Sequence, residues 1–587
     1  MINMKKIVLF IAFILLFQMN VSGAFFQDAI SFRRSPVQTN TNFIQNANYI
    51  ILTTSNLKDA VIDFKVWKEC PGQTVEIINV SWISDNYDGV DLQEQIRNFL
   101  IDKYDEWNIQ YVLIVGSRDI IPMRRCDPID WDYGDYYYTD FYYSDITGDW
   151  DQDNDGKFAE YEDDSVDFIP EISVGRIPSD NEDTVAQICE NIITFGSDVG
   201  SWKKNVLLLG AISYYEGLES FDWTYERSDC GTIMEACRND IFEPEDFHCF
   251  RMYEAEGLRP STYNYELPLE HANAITEWAK NYSIVNMIGH SNENLAARWI
   301  WDHDDGDNIP EVSEGELIYK DILTKSDSQI LSLDKPPIVF SGGCSQLHGS
   351  NNMGRSFIEN SAAVAYIGTT DLGFYNITRV WKDESDGGFG SIDYYFFYYL
   401  ISQDQTCGDA LSNSKLYFSN HFMFDEYNPE WIYRSYSTLM GTTLYGDPSL
   451  RLYPISNPPS KPNTPDGPSS GRINVEHPFS TSSNDGDGDQ IRYLFDWGDG
   501  NKTLTEYLPS GELVQVSHRW TTKGTFNLSV KAQDENGVWS ECSDPLPITM
   551  PNYRSFRLIN HLIQFQNINR IISKISSLYS SIGVYNP

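Results

Sequence analysis

The stretch PPIVFSGGCS, residues 336–345, is a short apolar run that ends with two glycines and then presents a cysteine, Cys344. A second stretch, SIVNMIGHSN at residues 283–292, has the same form and presents His290 after its glycine. Strands that are apolar throughout, rather than alternating, are typical of a parallel sheet covered by helices on both faces. In such sheets, ligands bind beyond the carboxyl ends of the strands. The two stretches therefore predict an α/β fold that brings Cys344 and His290 to its ligand-binding edge.

The same pattern continues from residue 48 to about residue 455. Further strand candidates are residues 48–52, 75–80, 111–116, 172–175, 206–209 and 364–367. Between the second and third of these, residues 91–107 place apolar side chains on one helical face, and Asp91 with Glu94 resembles a capping box. A helix that connects two strands in this way makes them parallel. The alternation predicts a parallel sheet with helices on both faces.

A cysteine beside a histidine at such an edge is an arrangement suited to nucleophilic catalysis. The thiolate is the attacking species, and a free thiol is mostly protonated at neutral pH, so a neighbouring base is required. Gly342 and Gly343 allow a sharp turn and let a substrate carbonyl approach backbone N–H groups, which could form an oxyanion hole. Two alternatives stay open: Cys344 and His290 are structural, or Cys344 and His348 begin a metal site, although no second ligand pair stands at a useful spacing.

The composition limits the classes of partner. At 587 residues the chain is long enough for about three to five domains. Its 42 basic and 85 acidic residues give a formal charge of -43. Such a charge repels phosphate backbones and anionic membranes. Nucleic acid is therefore excluded as a partner.

The N-terminal residues have the layout of a secretory signal peptide. Two lysines precede an apolar segment at residues 7–17, and small residues ending at Ala24 form a cleavage site. The alternative is an uncleaved membrane anchor, but the apolar segment is shorter than the roughly 20 residues of a membrane span. We expect removal of residues 1–24 and a secreted, extracellular protein, with residues 25–47 as a candidate pro-segment.

Export makes disulfides available, yet the chain has nine cysteines, so at least one thiol stays free or pairs between chains. Cys344 is our candidate for the free thiol because it follows a strand end. The sequence does not define the pairing of the other eight, which are Cys70, Cys126, Cys189, Cys230, Cys237, Cys249, Cys407 and Cys542.

Residues 151–162, DQDNDGKFAEYE, have the ligand pattern of a calcium loop. Carboxylates stand at positions 1, 3 and 5, glycine at 6 and glutamate at 12, so hard oxygens converge on one ion. The predicted ligands are the side chains of Asp151, Asp153, Asp155 and Glu162 and the carbonyl of Lys157. The alternative is an acidic solvated loop. Because the flanks do not have the pattern of EF-hand helices, we expect a structural Ca²⁺ rather than a sensor, and no organic cofactor is implied.

A proline-rich linker at residues 457–462 marks a domain boundary. From residue 456 to residue 550, short strands and turns predict a small β-sandwich. Within it, the run DGDGD at residues 485–489 precedes YLFDWGDG at residues 493–500. Residues 551–587 form a basic tail whose apolar residues fall at near-helical spacing. We expect this amphipathic tail to dock on the protein's own acidic surface or on a membrane.

Several stretches in the larger region resemble the gingipain family of caspase-like cysteine peptidases. They are YVLIVGSRDIIPMR (111–124), VGRIPSD (174–180) and LYGDPSLRLYP (444–454), and they stand in the family's order together with the Gly-His and Gly-Cys motifs. The resemblance implies a caspase-like, parallel-sheet catalytic region at residues 199–455. It also implies an N-terminal α/β subdomain at residues 48–198, which contains the calcium loop.

Carried over by motif, the resemblance implies Cys344 as the nucleophile and His290 as the base that also protonates the leaving amine. It implies that the backbone N–H groups of Cys344 and Ser291 bind the oxyanion, although the family usually has glycine where Ser291 stands.

In the gingipains an acidic residue follows the strand that corresponds to residues 206–209 and orients the histidine. The nearest match here is Glu216, and its rivals are Asp222 and Glu226. The acidic residue that gives some family members a preference for arginine has no clear counterpart, so substrate preference does not carry over.

The C-terminal region resembles a polycystic kidney disease (PKD) type β-sandwich, whose Trp-Gly-Asp-Gly hairpin and later His-x-Trp stand here at residues 497–500 and 518–520. Such modules accompany secreted hydrolases and adhesins and usually act as spacers or binding surfaces. The resemblance therefore implies either a structural appendage, which we favour, or contact with a cell surface or a polysaccharide. Together the resemblances imply a secreted, calcium-stabilised cysteine endopeptidase that acts on proteins or peptides. Two alternatives stay open: a non-catalytic surface or adhesion protein on a degenerate peptidase scaffold, and a transpeptidase that uses the same residues.

Overall fold

The structure is a computed structural model of the chain. It describes residues 47–69, 73–128, 136–218, 227–374, 388–423, 429–454, 458–535, 538–551 and 568–574. The predicted signal peptide and all but the last residue of the candidate pro-segment lie outside the described residues, as does most of the basic tail.

Eleven strands form one large sheet, numbered here in chain order. They are β1 (Tyr49–Thr53), β2 (Val75–Asn79), β3 (Tyr111–Val115), β4 (Ser173–Ile177), β5 (Asn205–Gly210), β6 (His248–Tyr253), β7 (Leu267–Pro268), β8 (Ile284–Ile288), β9 (Ile338–Gly342), β10 (Ala365–Thr369) and β11 (Thr442–Tyr445). Across the sheet their order is β7-β6-β5-β8-β9-β10-β11-β4-β3-β1-β2. Neighbouring strands are parallel except β10 and β11, which are antiparallel.

Six of the eleven strands of the sheet are buried along their whole length. Every residue of β1, β3, β8, β9, β10 and β11 is buried. The sequence pattern predicted this covered, largely parallel sheet, and the structure confirms the α/β fold class. The antiparallel pair β10 and β11 is an addition that the pattern did not predict.

Ten α-helices accompany the sheet in the described residues. They are α1 (Ile62–Glu69), α2 (Val80–Asn86), α3 (Leu92–Trp107), α4 (Glu182–Ser197), α5 (Gly231–Cys237), α6 (His271–Trp278), α7 (Met353–Glu359), α8 (Phe389–Phe397), α9 (Cys407–Phe422) and α10 (Pro429–Gly441). Helix α3 begins as predicted, since the Asp91 side chain accepts a hydrogen bond from Glu94 N–H at 2.9 Å. The Glu94 carboxylate accepts from Val90 N–H, one residue earlier than a capping box requires.

Residues 477–550 form the predicted small β-sandwich. A four-stranded antiparallel sheet contains Lys502–Leu504, Ile491–Asp496, Gly524–Asp534 and Leu546–Met550, and His477–Thr481 pairs with Val514–His518. Its core is separate from that of the large sheet and includes the fully buried Trp497 and Trp520.

The eight cysteines in the described part of the chain are all free thiols. Cys344 and Cys249 are partly exposed and Cys542 is exposed, whereas the others are buried. No helix among the described residues has both the length and the apolar composition of a membrane span. Residues 568–574 of the basic tail are helical and exposed.

Candidate active site

Strands β8 and β9 place His290 and Cys344 at the same edge of the sheet. The two strands are parallel neighbours, with Ile288 opposite Gly342, and Gly289 N–H donates to the Gly342 carbonyl at 3.0 Å. His290 lies two residues after Ile288, and Cys344 lies two residues after Gly342. The predicted adjacency of the two strand ends is therefore confirmed.

The imidazole of His290 is oriented by a backbone carbonyl. Its Nε2 lies 2.8 Å from the carbonyl oxygen of Ser213, and because a carbonyl only accepts, Nε2 carries the proton. Nδ1 is then the nitrogen that can accept a proton in the neutral ring. Burial lowers the pKa of His290, and the hydrogen bond to Ser213 acts in the opposite direction. The ring is therefore a neutral base at neutral pH.

Three aromatic side chains surround the His290 ring. The ring centroids of Trp299, Tyr214 and Tyr319 lie 4.8, 5.6 and 5.8 Å from its centroid. Trp299 and Tyr319 belong to strands Leu295–Trp301 and Leu317–Thr324, which form a small antiparallel sheet with His290–Ser291. This aromatic cluster supplies the burial that lowers the pKa of His290.

The thiol of Cys344 is partly exposed and lies next to residues 371–373. Its Sγ donates to the Gly373 carbonyl at 3.6 Å, and no hydrogen bond joins it to His290 among the described contacts. Burial raises the pKa of the thiol, and the charge of Asp371 acts in the same direction. The backbone N–H of Cys344 donates no hydrogen bond to any described residue. The thiol thus needs a base, and the N–H is available to a substrate oxygen.

Ser291 explains why a glycine precedes the cysteine. The Ser291 hydroxyl donates to the Cys344 carbonyl at 2.8 Å. A Cβ on Gly343 would lie 2.2 Å from Ser291 Oγ and 2.7 Å from the Gly289 carbonyl oxygen, closer than such atoms can approach. Only glycine fits at position 343, and the hydroxyl of Ser291 is directed at backbone rather than at the thiol.

The structure does not join Glu216, the predicted third residue, to His290. The Glu216 carboxylate is largely exposed and forms an ion pair with Arg259, while the Ser213 carbonyl takes the position beside Nε2. The rivals Asp222 and Glu226 lie outside the described residues. Sequence reasoning missed Ser213 because a backbone oxygen acts independently of the side chain and leaves no motif.

The predicted calcium loop brings three carboxylates together. Oxygens of Asp151, Asp153 and Asp155 lie within 4.8 Å of one another, and no α-helix occurs between residues 144 and 181, all of which are described. Such a hard-oxygen set fits Ca²⁺.

The other two predicted ligand residues of this loop, Lys157 and Glu162, are exposed, and the Glu162 carboxylate is not among the three clustered ones. Glu162 has a left-handed backbone with φ 71°. Lys157 donates its N–H to Asp155 Oδ1 at 2.7 Å.

Asp164, which the sequence pattern did not include, accepts from Gln152 N–H and Glu160 N–H at 2.7 and 2.8 Å. Burial raises the pKa of its carboxyl, and the charges of Asp151 and Asp153 act in the same direction.

Two family models match separate parts of the chain. Residues 44–453 match the model of peptidase family C25, and residues 462–550 match that of a PKD domain. The chain therefore belongs to peptidase family C25, the gingipain family, and carries a PKD domain behind the peptidase region.

Two solved structures with TM-scores above 0.5 have a similar fold. The Arg-specific cysteine proteinase gingipain R is 14% identical over 88% of this chain and 100% of its own, with a TM-score of 0.52. The complex of RgpB pro- and mature domains from Porphyromonas gingivalis is 14% identical over 85% and 100%, with a TM-score of 0.51. A PKD domain of an M14-like peptidase from a Thermoplasmatales archaeon is 35% identical over 17% and 100%, with a TM-score of 0.16. No curated protein matches the chain.

Proposed function

We propose that the protein is a secreted cysteine endopeptidase that hydrolyses peptide bonds through a thioester on Cys344. The observation that carries this proposal is the pairing of β8 with β9, because it brings His290 and Cys344 to one edge of the sheet in a chain of peptidase family C25. Substrates are proteins or peptides.

The reaction begins when His290 Nδ1 accepts the Cys344 thiol proton and the thiolate attacks the substrate carbonyl carbon. The carbonyl oxygen becomes an oxyanion, which the backbone N–H groups of Cys344 and Ser291 bind. The imidazolium gives its proton to the leaving amine as the C–N bond breaks, and the thioester remains. Water, deprotonated by His290, then attacks the thioester carbonyl, and the Cys344 thiol leaves with a proton. The Ser213 carbonyl stabilises the imidazolium in both steps, since it accepts from Nε2–H.

The protein acts outside the cell after removal of residues 1–24, and a structural Ca²⁺ is bound by the Asp151–Glu162 loop. Asp151, Asp153 and Asp155 would hold the ion, which neutralises their mutual repulsion. The calcium ion supplies no step of the peptide hydrolysis. The PKD domain contacts a cell surface or a polysaccharide, a role that resemblance to such modules supports.

The test is mass spectrometry of a denatured-protein digest made with the purified mature protein, with calcium and a mild reductant. New peptide ends should appear with the native protein and with Cys542→Ala, which removes an exposed thiol in the sandwich, and should vanish with Cys344→Ala. Cleavage that survives Cys344→Ala would overturn the assignment of the nucleophile. A folded, processed native protein that cleaves nothing would favour the adhesion alternative, and amine incorporation at the new ends would favour transpeptidation.

A further inference from the structure

A second acidic loop, residues 485–489 of the sandwich, contains a buried carboxylate oxygen that has no partner. Asp485 is only 8% exposed, and its Oδ1 accepts from the N–H groups of Asp487 and Asp489 at 2.9 and 3.2 Å. Its Oδ2 is buried and makes no hydrogen bond. A buried charged oxygen without a partner is costly, so it calls for a positive ligand.

Carboxylate oxygens of neighbouring residues converge at the same place. Oxygens of Asp485, Asp487 and Asp489 lie within 4.8 Å of one another, so one ion could contact all three. Two of these side chains reach the surface, because Asp487 is exposed and Asp489 is partly exposed. The group is therefore accessible from solvent through Asp487 and Asp489, whereas Asp485 is buried.

We infer that residues 485–489 bind a divalent cation and that the cation is calcium. The three side chains offer only carboxylate oxygens, which are the ligands that Ca²⁺ prefers, and the group contains no histidine or thiolate that would favour zinc. The ion would satisfy Asp485 Oδ2 and offset the repulsion among three like charges. This site is separate from the proposed peptidase chemistry and does not depend on it.

Two other acidic groups lack this combination. Oxygens of Asp305, Glu311 and Glu316 also lie within 4.8 Å of one another, but both oxygens of the buried Glu316 already accept hydrogen bonds, from Asp305 N–H and from Trp301 Nε1–H. Asp304, Asp305 and Asp307 lie at the protein surface. An unpartnered, buried oxygen therefore distinguishes the sandwich loop.

The loop at residues 485–489 lies next to the segment through which the chain enters the sandwich, so a bound ion would affect that segment. Asn484 N–H donates to Ser460 Oγ at 3.0 Å, and Ser460 N–H donates to the Asn484 carbonyl at 2.7 Å. Ser460 lies in the segment through which the chain enters the sandwich, so a cation at Asp485 would fix that segment to the loop. Removal of calcium should loosen the segment and speed the hydrogen exchange of the Ser460 and Asn484 amides, which make these two hydrogen bonds.

The experiment uses the full-length chain with Asp151→Asn and Asp155→Asn in the loop at residues 151–162. These changes remove calcium binding by that loop, so that only binding elsewhere in the chain is measured. Calcium binding is measured by titration calorimetry and by equilibrium dialysis, after removal of metal with a chelator. Asp487→Asn is the test variant because this residue is exposed, and Asp485→Asn is the second. Asp544→Asn is the control, since Asp544 is an exposed carboxylate of the same domain that pairs with Lys461.

In the Asp151→Asn, Asp155→Asn background, we expect Asp487→Asn and Asp485→Asn each to abolish the binding of one calcium ion per chain or to weaken its affinity at least tenfold. Asp544→Asn should change neither the stoichiometry nor the affinity. Unchanged stoichiometry and affinity in the folded Asp487→Asn protein would overturn the inference. Binding of Mg²⁺ with equal affinity would overturn the assignment to calcium. Circular dichroism of each variant confirms that a loss of binding is not a loss of fold.

Discussion

At the scale of single residues, the space around Gly343 is the tightest constraint on the candidate site. A methyl group there would meet Ser291 Oγ and the Gly289 carbonyl oxygen well inside contact distance. We expect Gly343→Ala to cost about 1–3 kcal/mol of stability and to lower kcat/KM by about tenfold or more, since roughly 1.4 kcal/mol in the transition state is tenfold. Urea unfolding and peptide hydrolysis measure the two effects.

The matched control for this variant is Gly441→Ala. Gly441 is also buried, but the nearest atom to an added Cβ is 3.5 Å away, in ordinary contact. We expect its activity and stability to stay near those of the native protein. A Gly343→Ala protein as active as Gly441→Ala would contradict the close packing of Ser291 against the residue before the nucleophile.

The pH dependence of activity should follow the environments of the two reacting groups. His290 must be neutral to accept the thiol proton, and burial lowers its pKa, so the acid limb of kcat/KM should lie below the usual histidine value of about 6.5. Trp299 lies 4.8 Å from the ring and is 8% exposed. Trp299→Ala exposes His290 to water, which raises its pKa and should shift the acid limb to higher pH.

The control for this shift is Trp82→Ala, which removes a half-exposed tryptophan of α2. Its acid limb should coincide with that of the native protein. If Trp299→Ala lowers the rate without moving the limb, the aromatic cluster does not set the pKa of His290, and the burial argument fails.

The two reacting side chains could be predicted from the sequence, whereas the backbone carbonyl that orients the histidine could not. Cys344 and His290 each follow an apolar run and a glycine, a pattern visible in the sequence, and their strands are neighbours as predicted. Ser213 contributes only its carbonyl oxygen to His290, and any residue has one. Glu216 was the nearest carboxylate along the chain, but its charge is taken by Arg259, which is 43 residues away in sequence.

At the scale of elements, the start of α3 combines a helix cap with a buried ion pair. Asp91 caps the helix and also binds Arg124 through both oxygens, at 2.7 and 2.8 Å. Arg124 is 3% exposed. We expect Asp91→Ala to cost about 1 kcal/mol for the cap and a further 1–3 kcal/mol, roughly, for the buried guanidinium left without its partner. Urea unfolding followed by circular dichroism measures the total.

The control is Asn181→Ala at the start of α4, where the side chain accepts from Thr184 N–H at 2.9 Å and forms no ion pair. Only the cost of the cap, about 1 kcal/mol, is expected there. Equal costs for the two variants would mean that the Arg124 pair adds nothing. Asp91→Asn should fall between them, because an amide still caps but carries no charge.

The calcium loop is the element whose stability should depend on an added ion. A ligand that binds only the folded protein adds about 2.7 kcal/mol when its concentration is a hundredfold above Kd. A chelator should therefore lower the melting temperature of the native protein. Its effect should be smaller in the Asp151→Asn, Asp153→Asn double variant, because two of the three clustered carboxylates are then neutral. Differential scanning calorimetry with and without calcium measures both.

A matched variant, Asp105→Asn, removes a carboxylate from the exposed side of α3 and should respond to the chelator as the native protein does. If the double variant responds equally, the loop is the solvated acidic segment of the alternative interpretation. Asp164→Asn then tests the carboxylate that the sequence pattern did not include.

The burial of the strands could be predicted from the sequence, but the relative direction of β10 and β11 could not. β10 and β11 are buried along their whole length like their parallel neighbours, yet they pair antiparallel. A strand can be buried in either direction, and helices α8, α9 and α10, which lie between the two strands in the described part of the chain, do not fix which way the chain returns. The single antiparallel pair joins the two parallel halves of the sheet.

At the scale of the whole molecule, the peptidase region and the sandwich have separate hydrophobic cores. The core of the large sheet contains no residue of the sandwich core. Trp520 is fully buried in the latter, with its ring centroid 5.7 Å from that of Phe479 and 5.9 Å from that of Trp497. We expect two calorimetric transitions, one for each core. Trp520→Ala should lower the free energy of unfolding of the sandwich by about 3–5 kcal/mol and leave the transition of the peptidase region unchanged.

A matching variant in the core of the large sheet tests whether the two cores unfold separately. Trp278 in α6 is also fully buried, but it packs in the core of the large sheet, 5.4 Å from Phe357 by ring centroid. Trp278→Ala should lower the transition of the peptidase region and its activity, whereas Trp520→Ala should leave peptide hydrolysis unchanged at temperatures below both transitions. If both variants lower one shared transition by similar amounts, the two cores unfold as a unit, and the sandwich contributes to the stability of the peptidase rather than only following it along the chain.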